Sequence, residues 1–335
     1  MRRILIDKKI ESFAKDYGKN PFIKRISSFI KPIENLTNLK EKLIGYPQHQ
    51  LYIDKIIAEY SELNCLKPMQ FDRKKQEFDN ILPSKDLNTR INLTENDENG
   101  KSSTVNPFYE MIVEAMRYED LREKDFLIVL VKLEMKSCIY CNSQLTIVTD
   151  KNDTNTRSYA RLELDHYYPK SIYPFLCTNF YNLYPVCGNC NRIKSTRDAK
   201  FALYTEDKNN IEAFKFCLKK SSVAKYLTNR KIEDIEFQFL PHPNSINDIA
   251  ADHDEMFCIQ GIYNTQKDII EELIHKKEVY TEAYQEDLIE QFQNLFPDKA
   301  VINRLLIGNY DKPEEIHKRP MAKFIQDIAS DLKLI

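Results

Sequence analysis

The fold depends on two short stretches of the chain, Cys138-Ile139-Tyr140-Cys141 and Cys187-Gly188-Asn189-Cys190. In each stretch two residues separate the cysteines, so a tight turn can point both sulfurs at one ion. Two such pairs make a closed four-thiolate zinc site. A redox CxxC is the alternative, but it would consist of a single pair beside a βαβ pattern. The spacing therefore predicts structural zinc.

Between and beside these pairs lie side chains that suit hydrolysis, namely Asp165, His166, Asn182 and Asn191. A neutral imidazole, with an ordinary pKa of about 6.5, can take a proton from water near neutral pH. Carboxylate and amide oxygens are ligands for a hard divalent cation. Cleaving a phosphodiester requires both an activated water and a cation that absorbs charge on the phosphate. The residue types therefore indicate phosphodiester hydrolysis.

The order of these motifs resembles the HNH, or ββα-metal, nuclease family, over about residues 138–200. The resemblance implies that His166 is the general base and that Asp165 and Asn191 bind a catalytic cation. It also implies that Asn182 fixes the loop and orients the base. Many members of the family have His where this chain has Asn191. The difference favours a hard ion, Mg²⁺ or Mn²⁺, at the catalytic position.

The distribution of charge predicts a nucleic-acid partner. The chain has a net charge of only -2, but Lys and Arg exceed Asp and Glu by 7 over residues 151–230 and fall short by 10 over residues 231–335. A local excess of positive charge favours a polyanion, because phosphate neutralisation supplies most sequence-independent affinity. DNA is favoured over RNA as the substrate. The candidate phosphate contacts near the motif are Lys170, Arg192 and Lys194.

Apolar spacing along the 335 residues predicts a mainly α fold that contains one small α+β module. We expect a helical N-terminal region over residues 1–125, with a polar loop near 84–106. The zinc-stapled HNH module is predicted over 126–205, and a helical C-terminal region over 206–335. Within the module, short β-like runs are predicted at Leu145–Val148, Tyr159–Leu164 and Asn182–Val186.

Other features of the sequence carry weaker expectations. No apolar run approaches the roughly 20 residues that span a bilayer, and the first residues lack a secretory h-region, so we expect a cytoplasmic protein without a membrane partner. The cysteines outside the two pairs are expected to be free thiols, and the remaining histidines to have surface or packing roles. These residues are Cys65, Cys177, Cys217, Cys258, His49, His242, His253, His275 and His317.

Two C-terminal phrases, Gly261-Ile262-Tyr263-Asn264 and Lys318-Arg319-Pro320-Met321-Ala322-Lys323, are similar to segments of HNH nucleases from bacterial anti-phage systems. Among these are the Septu-type nuclease subunits, which act beside an ATPase. The resemblance implies a role in defence or restriction, with helical flanks that bind an ATPase or another defence subunit. Two alternatives stay open: a non-catalytic zinc-dependent nucleic-acid-binding module, and a protein-interaction scaffold.

Overall fold

The structure is a computed structural model of the chain. It describes residues 1–22, 25, 27–97, 100–150, 158–292 and 299–335. Residues 151–157 of the predicted HNH module lie outside the described residues. The described part is mainly helical, with five small two-stranded sheets and a cluster of four cysteines, as the sequence predicted at that level.

The N-terminal region forms helices, and residues typical of helix starts mark where three of them begin. Pro32 and Pro47 each occupy the first turn of a helix, where the missing N–H costs nothing because it would have no intrahelical partner. Asp7 caps the first helix by accepting a hydrogen bond from the backbone N–H of Ile10 at 2.8 Å. The helices are α1 (Lys8–Lys19), α2 (Pro32–Lys42), α3 (Pro47–Cys65) and α4 (Phe71–Asp79).

The polar loop predicted near residues 84–106 is wrong for most of its length. After a short 3₁₀ turn at Ser84–Asn88, strands β2 (Arg90–Asp97) and β3 (Gly100–Pro107) pair as an antiparallel hairpin. Residues 98 and 99 lie outside the described residues. Ile91 and Leu93 are both buried, two residues apart on one face. A hairpin with one solvated face needs few apolar residues, so the polar composition of this segment led to the prediction of a loop.

The central region joins helices to the cysteine pairs and their strands. Strand β1 (Ile4–Leu5), near the start of the chain, pairs in parallel with β8 (Tyr204–Thr205), which lies at the end of the central region. Two of the predicted β-like runs, Leu145–Val148 and Asn182–Val186, each overlap one strand. The third, Tyr159–Leu164, was predicted as one run but is divided at Leu162 between two strands of different sheets. The elements are α5 (Phe108–Ala115), α6 (Tyr118–Asp120), α7 (Phe126–Lys132), β4 (Ile147–Asp150), β5 (Ser158–Arg161), β6 (Glu163–His166), β7 (Leu183–Val186) and α8 (Gly188–Lys194).

The C-terminal region combines one antiparallel strand pair with helices. Strand β9 (Phe214–Leu218) pairs with β10 (Phe237–Pro241), and the last helix packs across β9. Alternate residues of β9 are buried, as a sheet with one covered face requires. The helices are α9 (Lys220–Asn229), α10 (Ala250–Phe257), α11 (Ile259–Asn264), α12 (Lys267–Val279), α13 (Glu282–Gln291), α14 (Lys299–Ile307) and α15 (Ala322–Asp331).

One hydrophobic core runs through all three regions of the described chain. Buried side chains from the N-terminal helices, the cysteine-bearing centre and α15 belong to the same connected cluster. The division at residues 125 and 205 stays a prediction. Among the described helices, none combines the length and the apolar character that crossing a bilayer would require.

Candidate metal centre and catalytic pocket

The four cysteines of the two pairs meet in space. The sulfur atoms of Cys138, Cys141, Cys187 and Cys190 all lie within 4.8 Å of one another, and all four residues are buried. Tetrahedral zinc with bonds of 2.3 Å would set its sulfurs about 3.8 Å apart. The donor set and its spacing therefore fit a closed zinc site, and a four-cysteine group that can hold a metal ion is confirmed.

Electrostatics favours a cation at this point. Hydrogen bonds with the other three cysteines of the cluster lower the pKa of Cys141, and hydrogen bonds with the other three raise the pKa of Cys190. Four sulfurs this close cannot all be ionised alone, because like charges at short range disfavour each other. A divalent cation removes this conflict and lets all four act as thiolates.

The first cysteine pair, the first knuckle (residues 138–141), is held from outside by the C-terminal segment 316–323, which we call the clasp. Asn142, directly after the pair, is fully buried with a φ of 53°, a left-handed conformation that Asn tolerates better than most residues. Its side chain donates to the carbonyl of Ile316 at 3.1 Å and accepts from the backbone N–H of Lys323 at 3.0 Å. The carbonyl of His317 accepts from the backbone N–H groups of residues 136 and 137.

The phrase at 261–264 also contacts the first knuckle. Tyr263 is fully buried, and its hydroxyl donates to the carbonyl of Cys141 at 2.9 Å. Both C-terminal phrases singled out in the sequence therefore support the knuckle directly. Neither contact was predicted from the sequence.

The second cysteine pair, the second knuckle (residues 187–190), opens helix α8. The sulfur of Cys187 caps the helix by accepting from the backbone N–H of Cys190 at 3.5 Å. Because α8 starts at the knuckle, Asn191 follows one residue after the last sulfur ligand and Lys194 lies one turn farther. The second knuckle thus fixes where the side chains of α8 point.

Strands β6 and β7 place Asp165 and His166 beside α8. The two strands pair antiparallel, with Asp165 opposite Tyr184 and His166 opposite Leu183. Helix α8 packs against β6. A hairpin followed by a packed helix therefore carries the predicted motif in its predicted order.

His166 is buried and held in one tautomer. Its Nε2 lies 2.9 Å from the carbonyl oxygen of Cys177. A carbonyl can only accept, so Nε2 carries the proton and Nδ1 keeps the lone pair in the neutral ring. Burial, followed by the positive charge of Lys170, lowers the pKa of His166 to about 3. The imidazole is therefore neutral near pH 7, and the ring of Tyr118 packs on it at 4.6 Å between centroids.

Asp165 is buried and has a partner on each oxygen. Lys194 donates to Oδ1 at 3.1 Å, and the hydroxyl of Tyr140 donates to Oδ2 at 2.7 Å. Burial raises the pKa of Asp165, while Lys194 and Tyr140 oppose the shift. Lys194 was predicted to contact phosphate. Its side chain is instead fully buried, with its ammonium on Asp165 and on the carbonyl of His166, because a buried charge needs a partner.

Asn182 is fully buried and fastens the loop between β6 and β7. Its Oδ1 accepts from the backbone N–H of Tyr168 at 2.7 Å, and its Nδ2 donates to the carbonyls of Tyr168 and Leu176, each at 3.1 Å. The carbonyl of Cys177 that holds His166 is the next one along that loop. Asn182 therefore holds the loop that carries this carbonyl.

An open cavity of about 480 Å³ brings most of the predicted residues together. Eight of the lining residues, Tyr118 and Arg122 among them, were not predicted as site residues from the sequence. Tyr118 and Arg122 lie near Arg117, which has a left-handed backbone conformation, and near the short π-helical turn Leu121–Asp125. No sequence motif predicts either feature. The predicted residues on its walls are Asp165, His166, Asn191, Lys170 and Arg192.

Comparisons with known proteins give one similarity. No protein-family model matches this chain, and no solved structure matches it. A curated protein from Bacillus thuringiensis described as Septu protein PtuB is 29% identical over 143 residues. The match covers 41% of this chain and 45% of that protein, so the chain spans under half of the length of the relative that it matches. The similarity links this chain to a Septu protein.

Proposed function

We propose that the chain is a metal-dependent endonuclease of the HNH type that hydrolyses phosphodiester bonds, with DNA favoured over RNA. One observation carries the proposal: Asp165, a neutral His166 and Asn191 line the same open cavity beside a four-cysteine cluster. The hairpin of β6 and β7 followed by α8 supports a ββα-metal arrangement.

Asp165 and Asn191 are the residues that would hold the catalytic cation. Their oxygens are hard donors, which suits Mg²⁺ or Mn²⁺ better than a thiophilic metal. When bound, such a cation supplies charge neutralisation at the phosphate and the leaving oxygen. Asp165 can accept this role besides its two hydrogen bonds, because a carboxylate offers about four lone-pair sites.

His166 is proposed to accept the proton of the attacking water at Nδ1. The carbonyl of Cys177 fixes the ring through Nε2, and Asn182 fixes the loop that carries that carbonyl. Lys170 and Arg192, predicted from the sequence, are proposed to contact phosphates, and Arg122 joins them because it lines the same cavity.

The similarity to Septu protein PtuB supports a role in bacterial anti-phage defence. Septu-type nuclease subunits act beside an ATPase, as noted for the C-terminal phrases. We therefore propose that this chain works with an ATPase or another defence subunit. Co-purification of the chain with the products of its neighbouring genes tests this partnership.

A non-catalytic, zinc-dependent nucleic-acid-binding protein is the second candidate. The observation that favours it is that each oxygen of Asp165 already accepts one hydrogen bond, from Lys194 and from Tyr140. Under this alternative the chain would bind nucleic acid with a strong salt dependence and cut none of it.

The variant His166→Ala separates the two candidates. Labelled DNA and RNA are incubated with wild type, His166→Ala and the control His242→Ala, in Mg²⁺, in Mn²⁺ and with neither. Loss of a positioned base should slow cleavage by about 10²- to 10⁴-fold. Zinc content should be unchanged and the protein should stay folded, with the lower melting temperature that loss of a buried side chain brings. His242 lies outside the cavity, so its variant should cleave normally. Equal cleavage by His166→Ala would remove His166 from the mechanism, and no cleavage by wild type would favour the second candidate.

A further inference from the structure

Tyr140 connects the metal centre to the pocket. It stands between Cys138 and Cys141, and its side chain is fully buried. Its hydroxyl donates to Oδ2 of Asp165 at 2.7 Å, across 25 residues of sequence. A residue inside the first knuckle therefore touches the carboxylate that is proposed to bind the catalytic cation.

The phenol of Tyr140 is held on several sides. Its ring stacks on Phe257 of α10, with centroids 4.6 Å apart and planes 16° apart. Its backbone carbonyl lies 2.8 Å from Nε2 of His253. The preceding residue, Ile139, donates its backbone N–H to the carbonyl of Pro185 in β7 at 3.3 Å. As long as the first knuckle keeps its conformation, these contacts fix the direction of the Tyr140 hydroxyl.

The carboxylate of Asp165 is in turn fixed by two donors from opposite elements. Tyr140 reaches it from the first knuckle, and Lys194 reaches it from α8, which the second knuckle begins. Each pair of sulfur ligands thus controls one oxygen of the same side chain. Partners of this kind orient a metal-binding group and tune its affinity.

We propose that Tyr140 is a positioning residue through which the four-cysteine centre sets the orientation of Asp165 and hence the affinity of the pocket for a divalent cation. The proposal rests on the proposed function, in which Asp165 binds that cation. The proposal extends that function, because the structural metal then determines how tightly the catalytic metal binds and not only whether the chain folds.

The test compares Tyr140→Phe with Tyr263→Phe in the full chain. Each variant removes one buried hydroxyl, Tyr140 from within the first knuckle and Tyr263 from a residue that contacts it, but of the two only Tyr140 donates to Asp165. Zinc content is measured by mass spectrometry, and Mn²⁺ affinity by electron paramagnetic resonance. Tyr140→Phe should keep its zinc and bind Mn²⁺ about tenfold or more weakly. Tyr263→Phe should keep both its zinc and its Mn²⁺ affinity.

A second measurement does not depend on Mn²⁺. Melting temperatures of Tyr140→Phe, Asp165→Asn and the double variant form a cycle, and direct coupling predicts that the two shifts do not add. Additive shifts with unchanged Mn²⁺ affinity in Tyr140→Phe would overturn the proposal. If wild type binds no Mn²⁺ and cleaves nothing, the proposed function itself fails, which is a different result from a functional wild type with an indifferent Tyr140→Phe.

Discussion

The two knuckles supply the same ligands to one centre, yet they are built differently. The first knuckle is surrounded by long-range contacts from the clasp and from Tyr263. The second knuckle is local: Cys187 caps α8, and the helix then carries Asn191 to the cavity. One half of the metal centre is therefore tied to the rest of the fold, while the other half starts the helix that places Asn191 in the cavity. Apart from Tyr140, substitutions on the first side should affect mainly stability, and those on the second should affect mainly the pocket.

Removing a sulfur ligand should break both sides at once, and it has the largest expected effect. Structural zinc contributes about 10–16 kcal/mol in small peptides, which is comparable with the whole stability of a domain. Cys187→Ser should therefore lose zinc and unfold or aggregate, as measured by metal analysis and circular dichroism. Cys217→Ser, which changes a half-buried thiol away from the cluster, is the control. A folded, cleaving Cys187→Ser protein would contradict the structural role.

Asn142 and Asn189 test the difference between the two sides. Asn142→Ala removes buried hydrogen bonds to the clasp and puts Ala at a φ of 53°, so it should lower the free energy of unfolding by about 3 kcal/mol. Asn189 is exposed, and its side chain accepts a hydrogen bond from Arg192, so Asn189→Ala should cost less than about 0.5 kcal/mol. Denaturant unfolding measures both. Equal costs would remove the asymmetry between the knuckles.

Lowering the pH should reduce the stability of the fold, by less than the Cys187→Ser and Asn142→Ala substitutions do. Burial lowers the pKa of His166 and of His253 to about 3, and that of His317 to about 4. An unfolded chain binds these protons near pH 6.5, so stability present above that pH should be lost as the pH falls toward 4.

His253→Gln sharpens this prediction. Glutamine keeps a donor for the carbonyl of Tyr140 but cannot titrate. The melting temperature of this variant should fall less steeply between pH 7 and pH 4.5 than that of wild type. Parallel curves would show that His253 does not contribute to the acid sensitivity.

The local parts of the site were predictable from sequence, and the distant ones were not. The two knuckles, Asp165 and His166 follow one another at spacings that turn and ligand chemistry dictate. The sequence shows that Lys194 is charged but not that it is buried against Asp165, a contact that its predicted phosphate role did not include. Hydrogen bonds from Asn142 to the clasp and from Tyr263 to Cys141 join residues more than 100 positions apart, and no spacing rule connects them.

The same limit applies to the fold. Helix starts at Pro32 and Pro47 come from the fixed φ and missing N–H of proline, which act within a single turn. The hairpin of β2 and β3 depends on burying Ile91 and Leu93 against other elements, and such a partner is invisible in a polar stretch. The roles of Asp165, His166 and Asn191 stay predictions until cleavage is measured.

The contact between Asn142 and Lys323 can form only late in synthesis of the chain. It joins positions 181 residues apart, and a ribosome adds about 5–20 residues each second, so about 10 to 35 seconds separate the synthesis of the two partners. A nascent chain can gather its four sulfurs around a metal long before the segment that braces them has been translated. The four-cysteine centre is therefore braced by these contacts only after that segment has been translated.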